Sequence, residues 1–356
     1  MNGFSPRWLS SCHVEGAGCV DVLLDAADKM PEKGRKRSPV PIMDGEQSRR
    51  ILVYGAGPVG SILAYQLQDA RQDVTVLARG QRLDYIQRYG VMLEPSDTGR
   101  STSRKVNVID RLFPEDAYDL VIVAVGKNHY SRVLPFLSAN IYTPSVLFLG
   151  NNVEGPGEMV RLLGRDRVLL GFPFTNGTIE GRAVKYKAGE KTTISIGELE
   201  GVDSERLTWI SDLLEGAGFN VVANRSMEAW LKYHAAVILP LAFSYIRAEY
   251  DAKRLTGGRE SMTETIRAMR ECFGVLKELG HPFALDSMRR MEGLPMMLAV
   301  PYLRRELNKA ELDYVLTRGE AMTGELEVLD DEFSELKGST SVQTPAYDEL
   351  RKCLEK

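Results

Sequence analysis

Three groups of residues in this 356-residue chain have types and spacings suited to chemistry. The first is Gly55-Ala56-Gly57-Pro58-Val59-Gly60, directly after the apolar run at 51–54 (ILVY) and before a helical pattern at 61–69. A lone GxGxxG carries little information, but between a strand and a helix it has a mechanical meaning. The first glycine permits a tight turn, the second lets the backbone approach a pyrophosphate, and the third allows close helix–strand packing. The helix start then offers unpaired N–H groups to the phosphates. A tight turn with no ligand is the competing reading. The second group closes the next strand, Val76-Leu77-Ala78-Arg79, where an NAD site usually carries an acid for the ribose hydroxyl. Here there is none, and Arg79, with Arg82 beyond it, has the donors that a 2′-phosphate needs. NADPH is the cofactor that these residues favour, against a solvated loop arginine. The third is Lys232 in Trp230-Leu231-Lys232-Tyr233-His234, at the start of an apolar helix. An ammonium in a partly dry cleft has a lowered pKa and can act as acid or base. A lysine snorkelling at the helix edge is the alternative. His234 reads as a packing histidine with its hydrogen bonds satisfied, and Met291, Met296 and Met297 as core filler.

The elements that must position these groups are readable from periodicity. Strand, glycine turn, helix and strand (73–78, DVTVLA) follow one another within a single βαβ unit. A helix is expected near 85–89, then strands at 105–108, 120–125 (LVIVAV) and 145–149 (SVLFL), the last ending in Gly150-Asn151-Asn152. A short helix over 133–137 requires Pro135 in its first turn. Near-continuous apolar strands alternating with helices predict a parallel sheet covered on both faces. Segment 168–172 reads as a strand, and 182–186 and 192–196 alternate like antiparallel strands expected to extend the sheet, followed by a helix at 205–214 and a strand at 219–222. Beyond Ser226 the spacing is helical throughout, over 228–246, 261–279, 295–305 and 310–336. The fold class is α/β, with a Rossmann-type domain at 49–225 and an all-helical domain at 226–356.

Composition excludes several classes. Lys+Arg 45 against Asp+Glu 49 gives a formal net charge of -4, without the basic excess of a sequence-independent nucleic-acid binder. Hydrophobic residues at 44% and charged residues at 26% are ordinary globular values. No run of 18 uncharged apolar residues suggests a membrane span. The four cysteines, Cys12, Cys19, Cys272 and Cys353, have no metal-ligand spacing and suit a reducing compartment, so a cytoplasmic protein is expected. Residues 1–48 read as a poorly ordered extension. Their acids, among them Asp21 and Asp25, argue against a secretory signal or a mitochondrial presequence.

Taken in order, several stretches resemble the ketopantoate reductase family. They are ILVYGAGPVG with Arg79, DLVIVAVGKNHY from Asp119, LGNN from Leu149 with Gly155, TTISIGELEG from Thr192, EAWLKYHAAVILPL from Glu228 and TPAYDEL from Thr344. The resemblance spans residues 50–354. It implies that the helical domain is like that of 6-phosphogluconate dehydrogenases. It also implies that Lys232 protonates a carbonyl oxygen as NADPH delivers hydride, and a homodimer of two such chains accords with both the resemblance and the apolar helical half. By the same resemblance Asn152, or Asn151 beside it, contacts cofactor and substrate, and Lys127 matches a cofactor-binding lysine displaced by one position at Gly126.

The chain also departs from that pattern. Ala236 stands where the family has an asparagine one turn after the lysine. The late serine–methionine and Thr-Glu-Ile-Asp stretch has no clean counterpart, which leaves Glu320 or Glu325 to supply its carboxylate. The resulting expectation is reduction of a small 2-oxo acid, ketopantoate to pantoate first, with Lys232, Asn152 and Glu320 as the catalytic set. A diverged reductase of another keto compound, or a non-catalytic NADPH-binding sensor, is the alternative.

Overall fold

The structure is a computed structural model that describes residues 49–175, 177–187, 192–283, 286–309 and 320–355. The expected extension at 1–48 lies outside the described residues. In chain order the strands are β1 (Arg50–Tyr54), β2 (Asp73–Leu77), β3 (Val91–Pro95), β4 (Thr102–Arg104), β5 (Asn107–Ile109) and β6 (Leu120–Val123). They continue with β7 (Val146–Leu149), β8 (Val168–Pro173), β9 (Gly177–Glu180), β10 (Ala183–Tyr186), β11 (Thr193–Glu198) and β12 (Asn220–Ala223). Eight of them form one sheet in the order β12-β11-β8-β7-β6-β1-β2-β5. Pairing is parallel except between β8 and β11.

Alternate residues of the central strands feed two cores. Ile51 and Val53 face one with Ile62, Leu63 and Ile210, from the Pro58–Asp69 and Glu205–Gly216 helices. Leu52 and Tyr54 face the other with Val133 and Leu137 of Tyr130–Ala139 and with the helices of the C-terminal half. Burial on both faces is why these strands read as continuous apolar runs. The chain order reverses between β1 and β6, so the carboxyl ends of these two strands flank the crevice where open α/β sheets bind ligands.

Beyond β12 the described elements are helical. Met227–Arg247 is the central one, packed on Arg259–Glu278, Glu320–Gly338 and Pro345–Arg351. It is long and apolar enough to cross a membrane, yet 94% of that window is buried within the protein.

Three sequence expectations change. β10 does not extend the main sheet. It pairs with β3 and β9 in a separate four-stranded sheet, β4-β3-β10-β9, against the Pro58–Asp69 helix. Pro135 lies inside its helix rather than in the first turn. It is exposed, so water can satisfy the Ser131 carbonyl that loses its partner. Met291 is buried, but Met297 is 73% exposed and fills no core. The helix expected over 310–336 begins in the description at Glu320, and 310–319 lie outside the described residues.

Candidate active site at the strand ends

The glycine turn has the shape that its sequence requires. Gly55 has φ +120, and a Cβ there would lie 2.6 Å from the Ala124 carbonyl oxygen. A Cβ on Gly60 would lie 1.9 Å from the Gly55 carbonyl oxygen, while one on Gly57 would meet nothing within 4 Å. The turn is therefore tightly packed at both ends and open at the middle. Gly57 caps the Pro58–Asp69 helix without a side-chain hydrogen bond, and Ser61 N–H is the first to bond back, 2.9 Å to the Gly57 carbonyl. The N–H groups of Val59 and Gly60 remain for an anion. Ala56, Gly57, Pro58 and Val59 thus line an approach that fits a pyrophosphate.

Arg79 follows β2 and is exposed, its guanidinium 5.9 Å from the Phe136 ring centroid. Arg82 is otherwise engaged. Its Nε donates to the Ala56 carbonyl at 3.0 Å, and its two terminal nitrogens donate to Ser61 Oγ and the Arg182 carbonyl, each at 2.9 Å. It braces the turn rather than offering the further phosphate contact that its position suggested.

A second cluster gathers where β6 and β7 end. Lys127, just past β6, is 7% exposed. Its Nζ donates to Asn152 Oδ1 at 3.2 Å and pairs with Glu332 at 3.0 Å and Glu154 at 3.5 Å. Asn152 Oδ1 also accepts from Gly155 N–H at 3.1 Å. The other oxygen of Glu332 accepts from Val153 N–H at 3.1 Å and Glu154 N–H at 3.0 Å. Glu325, two turns earlier on the same helix face, accepts from Lys127 N–H and Asn151 Nδ2, each at 3.3 Å. Two buried polar atoms of this loop have no partner, the Asn152 Nδ2 donor and the Asn151 Oδ1 acceptor. Unsatisfied groups of this kind are scarce in folded proteins, and these two leave a donor and an acceptor free to meet a polar group.

Lys232 meets the same loop from the other side. It is 2% exposed, which rules out the snorkelling alternative. Its Nζ donates to the Val153 carbonyl at 2.7 Å and the Glu154 carbonyl at 3.0 Å, with Glu228 at 3.6 Å. Burial lowers its pKa, against the opposing pull of Glu228, Glu332 and Glu154. Gly155 permits this approach. Its φ is +102, and a Cβ there would lie 2.9 Å from Glu228 Oε1 and 3.2 Å from Lys232 Nζ.

His234 packs as anticipated, stacked on Trp230 at 5.1 Å and 4.3 Å from the Phe172 ring. It is not satisfied, however. Its Nδ1 has no partner, and burial pushes its pKa down to about 3, which keeps the imidazole neutral.

The structure thus brings Lys232, Asn152, Asn151, Lys127 and Glu325 to one loop. Glu320 is the first residue of its helix, and its side chain lies outside the described residues. Sequence reasoning missed Glu332, Glu228 and Glu154. The seven-residue spacing of Glu325 and Glu332 and the i,i+4 spacing of Glu228 and Lys232 were the available signals. No group of three or more His, Cys, Asp or Glu among the described residues has a metal-binding arrangement.

The molecule therefore joins a Rossmann-type sheet with a glycine turn to a helical half that sends a buried lysine to the strand ends. Residues 51–201 match the family model described as Ketopantoate reductase PanE/ApbA. A 2-dehydropantoate 2-reductase of Pyrococcus horikoshii is 23% identical over 186 residues, 51% of this chain. The uncharacterized oxidoreductase YkpB of Bacillus subtilis is 24% identical over 188 residues, 52% of this chain. The matches span 58% and 61% of the length of these two curated relatives. Among solved structures, the 2-dehydropantoate 2-reductase of Geobacter metallireducens superposes with a TM-score of 0.68 at 16% identity, over 86% of this chain and 99% of that one. D-mandelate dehydrogenase, in a ternary structure with NADH and anilino(oxo)acetate, gives a TM-score of 0.65 at 17% identity, over 86% and 97%. These likenesses show the shared fold.

Proposed function

We propose that this chain is an NADPH-dependent reductase of a small 2-oxo acid, with 2-dehydropantoate as the first substrate to test and pantoate as its product. The observation that carries the reading is the buried Lys232 amine, with its lowered pKa, bonded to the loop that holds Asn152. The glycine turn at 55–60 would hold the pyrophosphate on the N–H groups of Val59 and Gly60. Arg79, with no acid beside it, would take the 2′-phosphate. What a bound NADPH supplies is a hydride for the carbonyl carbon. Lys232 donates the proton to the carbonyl oxygen, and the two additions together make an alcohol. Asn152 Nδ2 and Asn151 Oδ1, both unpartnered, orient the nicotinamide end and the substrate. Lys127, locked to Asn152 and Glu332, sets the loop's conformation rather than gripping a phosphate. On this reading residues 49–225 bind the cofactor, residues 226–356 complete the substrate site, and Glu325 takes the carboxylate place sought at Glu320.

A second reading, a reductase of another keto compound or a cofactor-binding sensor, is favoured by Ala236. It is fully buried and offers no polar group one turn after Lys232. The test is titration of the purified protein with NADPH and NADH separately, then addition of ketopantoate while the absorbance of the reduced nicotinamide is followed. Tight NADPH binding with ketopantoate-dependent oxidation supports the first reading. Binding without oxidation on any member of a keto-acid panel supports the sensor, and failure to bind either cofactor overturns both.

A further inference from the structure

A proton donor used in every cycle must be recharged, and Lys232 is too buried to meet bulk water itself. On its outer side lies a cavity of about 220 Å³, lined by Ser226, Glu228 and His281 among others. At about 30 Å³ per water, it has room for several. Lys127, Asn151 and Asn152 do not line it, so it is separate from the cluster around the unpartnered asparagine atoms. Glu228 joins the two spaces. Its side chain is 41% exposed and lies 3.6 Å from the Lys232 amine, itself 2% exposed. The missing side chain of Gly155 leaves the gap between them open.

The other charged groups around Lys232 do not make this link. Glu154, from the loop after β7, gives Lys232 its backbone carbonyl while its carboxylate faces Lys127. Glu332, from the Glu320–Gly338 helix, is bonded to Lys127 and two backbone N–H groups. His281, from the segment after Arg259–Glu278, has its pKa lowered by burial and by Lys232, and forms a neutral wall.

We propose that Glu228 feeds protons from this cavity to Lys232, an inference that rests on the reductase reading above. In each cycle a Lys232 N–H bond breaks as the product O–H bond forms, leaving a neutral amine. The Glu228 carboxylate beside it then takes a proton from water in the cavity and passes one to Nζ, ending again as a carboxylate and leaving hydroxide for the solvent to neutralise. One proton moves from solvent to product, and no oxidant or reductant is needed beyond the hydride donor.

The experiment compares Glu228→Gln and Glu228→Asp with the parent protein. The expected result is a fall in kcat of about tenfold or more for Glu228→Gln, with NADPH affinity unchanged. Imidazole added as a small proton donor restores the rate in proportion to its concentration, and Glu228→Asp keeps most of the activity. The high-pH decline of kcat also moves to lower pH in Glu228→Gln, because removing the carboxylate makes the ammonium easier to deprotonate. An unchanged kcat overturns the proposal, as does a reduced kcat with neither imidazole rescue nor a displaced pH limb.

A second measurement is independent of turnover: the Lys232 pKa, from its rate of labelling by a small acylating reagent, read by mass spectrometry. A lower pKa in Glu228→Gln supports the coupling, and an unchanged one overturns it. If the parent protein turns over no keto acid while this pKa change is present, it is the reductase reading that fails.

Discussion

Two lysines approach the loop at 150–155 from opposite sides, and their surroundings make different groups of them. Lys127 meets carboxylates, with Glu332 at 3.0 Å and Glu154 at 3.5 Å, and the amide oxygen of Asn152. Its charge is compensated, and removing a partner would strand a buried ion. Lys232 is held mainly by two backbone carbonyls, with its nearest carboxylate at 3.6 Å. Dipoles position an ammonium, but they compensate its burial less fully than an adjacent counter-charge does. On the proposed reading, two buried lysines that meet one loop divide the work, one fixing the architecture and the other holding a transferable proton.

The sharpest way to break this distinction is Lys232→Ala. Turnover is expected to fall by about 10²–10⁴ with little change in NADPH affinity, checked by steady-state rates and cofactor titration. A large loss of folding stability with ordinary turnover in the surviving protein would make Lys232 the structural lysine instead. Glu332→Ala should do the reverse. It leaves Lys127 and the N–H groups of Val153 and Glu154 without their carboxylate, and urea unfolding should show a loss of about 3 kcal/mol. A smaller effect is expected at the cofactor end. Arg79→Ala should weaken NADPH binding about tenfold and NADH binding hardly at all, since hydrogen bonds to a charged partner contribute about 1.5–3 kcal/mol. Equal weakening of both cofactors would remove the 2′-phosphate contact from Arg79.

Legibility followed the range of the interactions involved. The glycine turn was readable because its requirements are local. Gly55 is needed by its own positive φ and Gly60 by the Gly55 carbonyl five residues before it, and the apolar runs beside them betray strands buried on both faces. The small second sheet was not readable. β3 pairs with β10, Met92 beside Ala183, and nothing in the short segments around either residue announces a partner so far along the chain. Lys232 was readable as a candidate but not as a decided one, since choosing between cleft and helix edge needs the fold. Glu332 was missed for the same reason. Its acid marks a helix face, and only the packing of Glu320–Gly338 against the strand ends turns that face to Lys127. Arg82 misled because an arginine near a phosphate site and one bracing its turn have the same local sequence.

The loop between the two lysines also carries its own reporter. The backbone N–H groups of Val153 and Glu154 are bonded to Glu332, more than 170 positions away in the chain, and that of Gly155 to Asn152. For the first two, exchange with solvent deuterium requires the Glu320–Gly338 helix to lift from the strand ends, whereas the third follows the asparagine itself. The relative deuteration of three consecutive amides therefore separates opening between the two halves of the molecule from rearrangement within the loop, with no label added to the protein.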